Sequence, residues 1–285
     1  MTSREQLRAL APTAFASWDD VLASVAVTLD PATRAAITAS MRDVLGLPAA
    51  GGDAAALDPA ARTFVEQFVA DVSAVTPEQR KLALTALGAS AFEVVQLTYV
   101  ADLGTRMDEA WRQLFGLSAP PWEPTTSAAS DLWPTLDGFM RTVAQLDTLD
   151  PLTTEVVRLR GARVHDCRLC QSIRNVRAAE AGADESLYDQ IDDHEHSALP
   201  PLHRQVLRLV DAMLWEPTAY PEGVVDAVRA ELSDAELVEV VFDVVRNAAN
   251  KVAVAFGADD PHVTDGLEYY DIDPNGELIY GVEPS

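Results

Sequence analysis

The sequence predicts an all-α chain built from two similar helical repeats and closed by a short C-terminal β-hairpin. Three observations carry that expectation. Apolar residues recur at three- and four-residue steps through 62–75, 80–100, 104–115, 136–146, 152–163, 202–215, 222–231 and 234–256. Strand-like alternation is scarce before the last twenty residues. Short sequence marks in the first half recur, in the same order, in the second.

The helix entrances follow from local chemistry. Asp58-Pro59 and Asp150-Pro151 each place an N-cap acceptor before a proline, whose missing N–H costs nothing in a first turn. Thr76-Pro77-Glu78-Gln79 and Ser233-Asp234-Ala235-Glu236 have the spacing of capping boxes. Leu237, Val240, Val241, Val244, Val245, Ala248, Val252 and Phe256 then trace one helical face through 234–256. At the end, Tyr269–Ile272 and Glu277–Tyr280 flank Asp273-Pro274-Asn275-Gly276, which reads as a hairpin turn.

The repeat rests on paired marks. Leu29-Asp30-Pro31-Ala32-Thr33 matches Leu149-Asp150-Pro151-Leu152-Thr153 at an offset of 120. Ala56–Arg62 matches Ala198–Arg204 at an offset of 142, and Leu114-Phe115-Gly116 matches Ala255-Phe256-Gly257 at 141. The second half therefore carries about 22 extra residues between its first two marks, and both cysteines lie among them. Chance similarity between helical segments is the competing explanation. The expected organisation is a cysteine-free repeat over 1–118, a packed linker rich in Pro and Trp over 119–135, a CxxC-containing repeat over 136–262 and a hairpin tail over 263–285.

Composition limits the function classes. The 285 residues carry a formal charge of −24, which repels nucleic-acid phosphates and anionic membranes unless a local basic patch overrides it. No run approaches the roughly 20 uninterrupted apolar residues of a membrane span, and the polar start Met-Thr-Ser-Arg-Glu lacks the layout of a secretory signal. The expected compartment is the cytoplasm. Two cysteines cannot staple a chain of this length, so their chemistry points to redox or metal binding before structural bridging.

The chemistry concentrates in Glu155–Arg177. That stretch holds six arginines and two acids, a net +4 against the acidic whole. If Cys167 opens a helix, Cys170 lies one turn on and on the same face, close enough for a disulfide. A helix N-terminus and neighbouring guanidinium groups favour the thiolate, as thiol–disulfide exchange or peroxide reduction requires. The plainer alternative is two small buried side chains beside a solvated arginine face. Metal binding would need His165, His194 or His196 to complete a tetrahedral set, and the arginines oppose a cation. His194 and His196 sit in what reads as a polar surface turn; His203 and His262 read as ordinary surface or helix-end residues.

The spacing Glu155-x11-Cys167-x-x-Cys170, the helix that follows it, its break at Gly182, the Ser233–Glu236 helix start and Asn247-x-x-Asn250 resemble the alkylhydroperoxidase D-like and carboxymuconolactone decarboxylase superfamily. The likeness covers about 135–262, with the first half matching as a degenerate copy. It implies a two-repeat all-helical fold and a CxxC thiol peroxidase or disulfide reductase. By position, Cys170 becomes the sulfenic acid, Cys167 closes the disulfide and Glu155 anchors a proton relay. The relay histidine of the family is replaced by Arg174, and a further histidine by Leu169. Arg174 stays charged near neutral pH and cannot shuttle protons, but it could hold Glu155 as a bidentate ion pair. His165 is a possible substitute base outside the matched position. The implied partners are a peroxide or disulfide substrate, a thioredoxin-like or dithiol reductant and further copies of the chain in a dimer or trimer; no metal or other cofactor is implied. Two other readings stand beside it: a lactone decarboxylase-like enzyme using Glu155, and a redox-silent ligand-binding or assembly protein.

Overall fold

The computed structural model describes residues 3–49, 51–117 and 131–285, and they are mostly helical, with a small sheet near the C-terminus. The expected linker over 119–135 falls for the most part on residues 118–130, outside the described residues. The first half comprises α1 (Arg4–Leu10), α2 (Pro12–Val25), α3 (Pro31–Val44), α4 (Pro59–Ala70), α5 (Pro77–Leu87) and α6 (Ala91–Phe115). The second begins with α7 (Leu132–Ala144) and α8 (Pro151–Val164), then enters the cysteine region through α9 (Arg168–Gln171), β1 (Ile173–Asn175), α10 (Val176–Glu180) and α11 (Glu185–Tyr188). It continues as α12 (Pro201–Trp215), α13 (Val224–Glu231), α14 (Asp234–Asn247) and α15 (Asn250–Phe256), and ends in β2 (Glu268–Ile272) and β3 (Leu278–Tyr280).

The caps form as their residues dictate. Asp30 and Asp150 each accept two backbone N–H bonds and a Thr hydroxyl at the starts of α3 and α8. Thr76 and Ser233 form reciprocal capping boxes with Gln79 and Glu236. Two boundaries differ from the periodic pattern. The break between α5 and α6 falls at Gly88, where a φ of 56° is cheap only for glycine, and not near residue 102. The apolar face through 234–256 is likewise interrupted after Asn247, so that α15 restarts at a new angle and turns Asn250 and Lys251 inward.

One continuous core joins the two halves. Phe242 of α14 meets Phe15 of α2 at 4.8 Å between ring centroids, Trp111 of α6 at 5.8 Å and Phe139 of α7 at 6.1 Å. Truncating a ring so enclosed costs about 3–5 kcal/mol. The stretch Pro77–Phe115 has the length and apolar composition of a membrane span, yet half of its most apolar window is already buried inside the fold. Within this core Asp102 of α6, fully buried, receives Arg106 and Lys251, each at 2.6 Å. Burial works against the Asp102 carboxylate, but the two cations outweigh it and lower its pKa.

The expected hairpin is present: Tyr270, Asp271 and Ile272 pair antiparallel with Tyr280, Ile279 and Leu278. It is not a free appendage. Its strand β2 also pairs, in parallel, with β1, which directly follows the cysteines. Asp273 closes the turn by accepting the N–H groups of Asn275 and Glu277. Gly276, at φ 79°, lies against the backbone of Arg141 so closely that a β-carbon would collide with it. The hairpin therefore lies across α7 and reaches over the cysteine region.

Candidate functional site

The cysteine turn is set by the end of α8. His165 caps that helix, and Asp166 takes a left-handed φ of 51°, a conformation Asp tolerates better than most residues. The chain reverses there, with the Cys167 N–H donating to the Ala162 carbonyl at 2.9 Å. Cys167 becomes the N-cap of α9, and its Sγ accepts the Cys170 N–H at 3.3 Å. The two sulfurs lie at disulfide distance, with their Cα atoms 5.3 Å apart. Cys167 is buried, whereas Cys170 is partly exposed.

Two anchors fix this turn. Asp259 accepts the Arg168 N–H at 2.9 Å and pairs with its guanidinium, while its carbonyl accepts the Leu169 N–H. From the other side, Arg158 donates to the Cys170 carbonyl and to the Ile173 carbonyl, both at 2.8 Å. Arg158 is in turn held by Glu155, one helical turn back on α8, through a fork of 2.6 and 2.7 Å. Burial disfavours the Arg158 cation, but Glu155 outweighs it and raises the pKa, so the guanidinium stays charged.

Glu155 is 1% exposed, and its remaining acceptor capacity is used. It takes the Asn175 N–H at 3.1 Å and the Tyr270 hydroxyl at 3.3 Å. The Tyr270 ring also lies 5.5 Å from the Arg158 guanidinium, a cation–π distance. Glu155, Arg158, Tyr270 and the backbone from Cys170 to Asn175 thus form one connected polar network.

Here the pairing of Glu155 with Arg174, expected from the sequence, is corrected. Arg174 turns the other way, to Glu185 of α11 at 2.7 and 2.8 Å, and lies over the Tyr188 ring at 5.1 Å. Its reach is set by β1, where alternate side chains leave on opposite faces of the strand. Arg174 therefore braces the segment that follows the cysteines and makes no bond to Glu155. Arg158, counted in the sequence only as one of six arginines, takes the expected place. The three-residue spacing from Glu155 within one helix is the signal that marks it. Asp259 and Tyr270 carry no such signal, because they reach Arg168 and Glu155 across 91 and 115 residues.

The histidines divide differently from their sequence appearance. His165 is buried and bonds Asn250 at 2.7 Å through Nδ1. Burial, followed by the nearby Lys251 charge, pushes its pKa down to about 3, so it is neutral at physiological pH. His194 is buried under the Asp193–Ser197 turn and bonds the Ile191 carbonyl, so only His196 of that pair is at the surface. His203, at the start of α12, is also buried, and burial lowers its pKa. Among the described residues, no group of three or more His, Cys, Asp or Glu is placed to hold a metal ion.

Comparison with known proteins gives relatives but no activity. No protein-family profile matches the chain, and no solved structure matches it. Two Mycobacterium tuberculosis proteins do, "Uncharacterized protein Rv2313c" of strain H37Rv and "Uncharacterized protein MT2376" of strain CDC 1551. Each is 41% identical over 227 residues, a span covering 76% of this chain and 79% of the relative. The chain accordingly belongs to the family of these two mycobacterial proteins.

Proposed function

We propose that the chain is a CxxC thiol oxidoreductase of the alkylhydroperoxidase D-like type, a peroxidase or disulfide reductase working in the cytoplasm. The observation that carries the reading is the Cys167–Cys170 pair at disulfide distance on a turn pinned by the Glu155–Arg158 fork. In the peroxidase cycle the Cys170 thiolate attacks the distal peroxide oxygen, the O–O bond breaks and an alcohol or water leaves. The Cys167 thiol then displaces hydroxide from the Cys170 sulfenic acid, closing the disulfide and releasing water. Two thiols lose two electrons and the peroxide gains them. An external dithiol or thioredoxin-like carrier restores the pair by exchange. The partial exposure of Cys170 and burial of Cys167 agree with these roles. Arg158, its charge balanced by Glu155, holds the Cys170 carbonyl and so fixes the backbone that carries the reactive sulfur.

Two further features support the superfamily reading. The helices α2 to α6 and the series α7, α8, α12, α13 and α14–α15 run in the same order, with α9, β1, α10 and α11 as the extra piece. The identical Asp caps of α3 and α8 and the left-handed glycines Gly116 and Gly257 recur at matching places, and α2 packs on α7. We read this as two copies about a pseudo-twofold axis, only the second of which carries the cysteines; the domain boundaries given above follow from it. By the same likeness, the chain forms a dimer or trimer.

A decarboxylase-like role for Glu155 is the weaker reading, since Arg158, Asn175 and Tyr270 already occupy its carboxylate. The redox-silent alternative is separated by experiment. The test is peroxide consumption by the full chain with dithiothreitol as electron donor, followed for hydrogen peroxide and cumene hydroperoxide. Consumption should vanish in Cys170→Ser, and alkylation mass spectrometry of the wild type should show two thiols lost per peroxide. Full activity in Cys170→Ser, or two thiols that never oxidise, removes the proposal.

A further inference from the structure

A cavity in the first half lies far from the cysteines in sequence. It sits between α1, α2, α3 and α6 and encloses about 350 Å³, within the range of small-molecule sites. Its wall is apolar and aromatic, with Phe15, Trp18, Met41, Val100 and Trp111 among the side chains that form it. Its charged groups are Arg4, Arg8, Arg34 and Arg42 against Asp19 and Asp108, a local excess of two positive charges in a chain of net −24.

Among the described residues only Arg8 of these arginines forms an ion pair, with Asp19. Arg34 donates to the Thr28 and Leu29 carbonyls, and Arg42 to the Pro48 carbonyl, but neither forms an ion pair among the described residues. Arg4 stands near Asp108 without a hydrogen bond to it among the described residues, and its charge acts against the rise in pKa that burial gives that carboxyl. Most of the 21 Lys and Arg side chains in this acidic protein are in ion pairs, so three guanidinium groups that form no ion pair among the described residues, gathered around one apolar cavity, are a concentration that its acid-rich composition does not lead one to expect.

We propose that this cavity binds a single-chain amphiphilic anion, a free carboxylate with an unbranched alkyl tail, with its tail among Phe15, Trp18 and Trp111 and its head at Arg4 and Arg42. An apolar interior gains from each buried methylene, and a guanidinium pairs with a carboxylate through two parallel bonds. A cationic head of the same tail length meets the same arginines as repulsion. The proposal is independent of the cysteine chemistry.

The probe is dodecanoate, titrated into the full chain by calorimetry below its micelle concentration. One molecule should bind per chain. Each methylene removed should weaken binding about three- to fourfold, which makes octanoate, four methylenes shorter, roughly 80- to 250-fold weaker. Dodecyltrimethylammonium should bind at least roughly tenfold more weakly than dodecanoate. The rim variant Arg4→Gln/Arg42→Gln should lose at least roughly tenfold for dodecanoate and stay within about twofold for dodecanol. Location is read separately with 12-bromododecanoate, which should quench tryptophan emission in the wild type. Trp18→Phe/Trp111→Phe should remove most of that quenching while still binding. No saturable binding, equal binding of the cationic amphiphile, or quenching indifferent to Trp18 and Trp111 would each overturn the assignment. So would a dimer in sedimentation that Arg4→Gln/Arg42→Gln dissociates, since a second copy would then be the occupant. Co-sedimentation with phosphatidylglycerol vesicles and no binding of free dodecanoate would overturn it as well, in favour of a bilayer surface.

Discussion

Arg158→Met tests the polar network that holds the Cys170 carbonyl. The substitution keeps most of the side-chain volume but removes the cation paired with Glu155, whose carboxylate is 1% exposed. It also strips donors from the Cys170 and Ile173 carbonyls. Breaking a buried pair from one side leaves an uncompensated charge, which costs about 3–5 kcal/mol. Against the roughly 5–15 kcal/mol of total stability usual for a folded chain, that is a large share. At about 2–4 °C per kcal/mol for a chain of this size, the melting temperature should fall by about 6–20 °C. Urea unfolding of the oxidised protein, followed by fluorescence at pH 7, measures the loss. The double variant Glu155→Gln/Arg158→Met should recover at least about 1.5 kcal/mol of it, because no buried charge remains and the introduced amide still offers an acceptor to Asn175 and Tyr270. A cost below about 1 kcal/mol for Arg158→Met, or a double variant less stable than Arg158→Met alone, would refute the reasoning.

Other expectations follow from single contacts. His165 has its folded pKa lowered to about 3, so below about pH 6.5 the unfolded chain binds a proton that the folded one refuses. Stability from this group is complete above about pH 6.5 and falls towards pH 3 by up to about 1.4 kcal/mol per pH unit, and His165→Gln should flatten that slope in a pH series of urea midpoints. Asp243 is the opposite case: burial, with the Glu239 charge, raises its pKa well above the usual carboxylate range. Its folded form keeps a proton that the unfolded form releases, so stability falls as pH rises above about 4. Asp243→Asn should therefore gain stability on the wild type between about pH 4 and pH 7 in the same measurement. Gly276→Val forces a β-branched residue to φ 79° against the Arg141 backbone, and should cost on the order of 1–3 kcal/mol and release the β2 amides to hydrogen exchange. Arg174→Ala should destabilise the chain by about 1–3 kcal/mol through lost bonds to Glu185 and two carbonyls, yet leave the dithiol–disulfide midpoint of the cysteine pair unchanged. A shifted midpoint in a dithiothreitol titration would return Arg174 to the site.

Much of the fold is readable locally because its signals are local. Asp150-Pro151 and Ser233–Glu236 start helices through bonds that span at most three residues, and the apolar period of α12 or α14 repeats within a few turns. The hairpin turn at Asp273–Gly276 is equally self-contained. The cysteine spacing likewise brings two sulfurs to one turn, whatever surrounds them. What the sequence left open is direction. Glu155 had arginines at 158 and 174 within reach, and helix geometry near one and strand geometry at the other decided between them.

The sequence by itself determined the helical class, the principal caps, the terminal hairpin and the placing of the two cysteines on one turn, since each depends on residues within a few positions of one another. Only the tertiary structure decided that the hairpin strand would join β1 beside those cysteines, that Tyr270 would meet Glu155 across 115 residues, and that Lys251 and Arg106 would share Asp102. It also set three arginines from two helices, none of them paired with an acid among the described residues, around one apolar cavity. The physical reason is common to these cases. A buried charge must find its partner wherever packing brings a complementary group, and packing is a property of the whole chain.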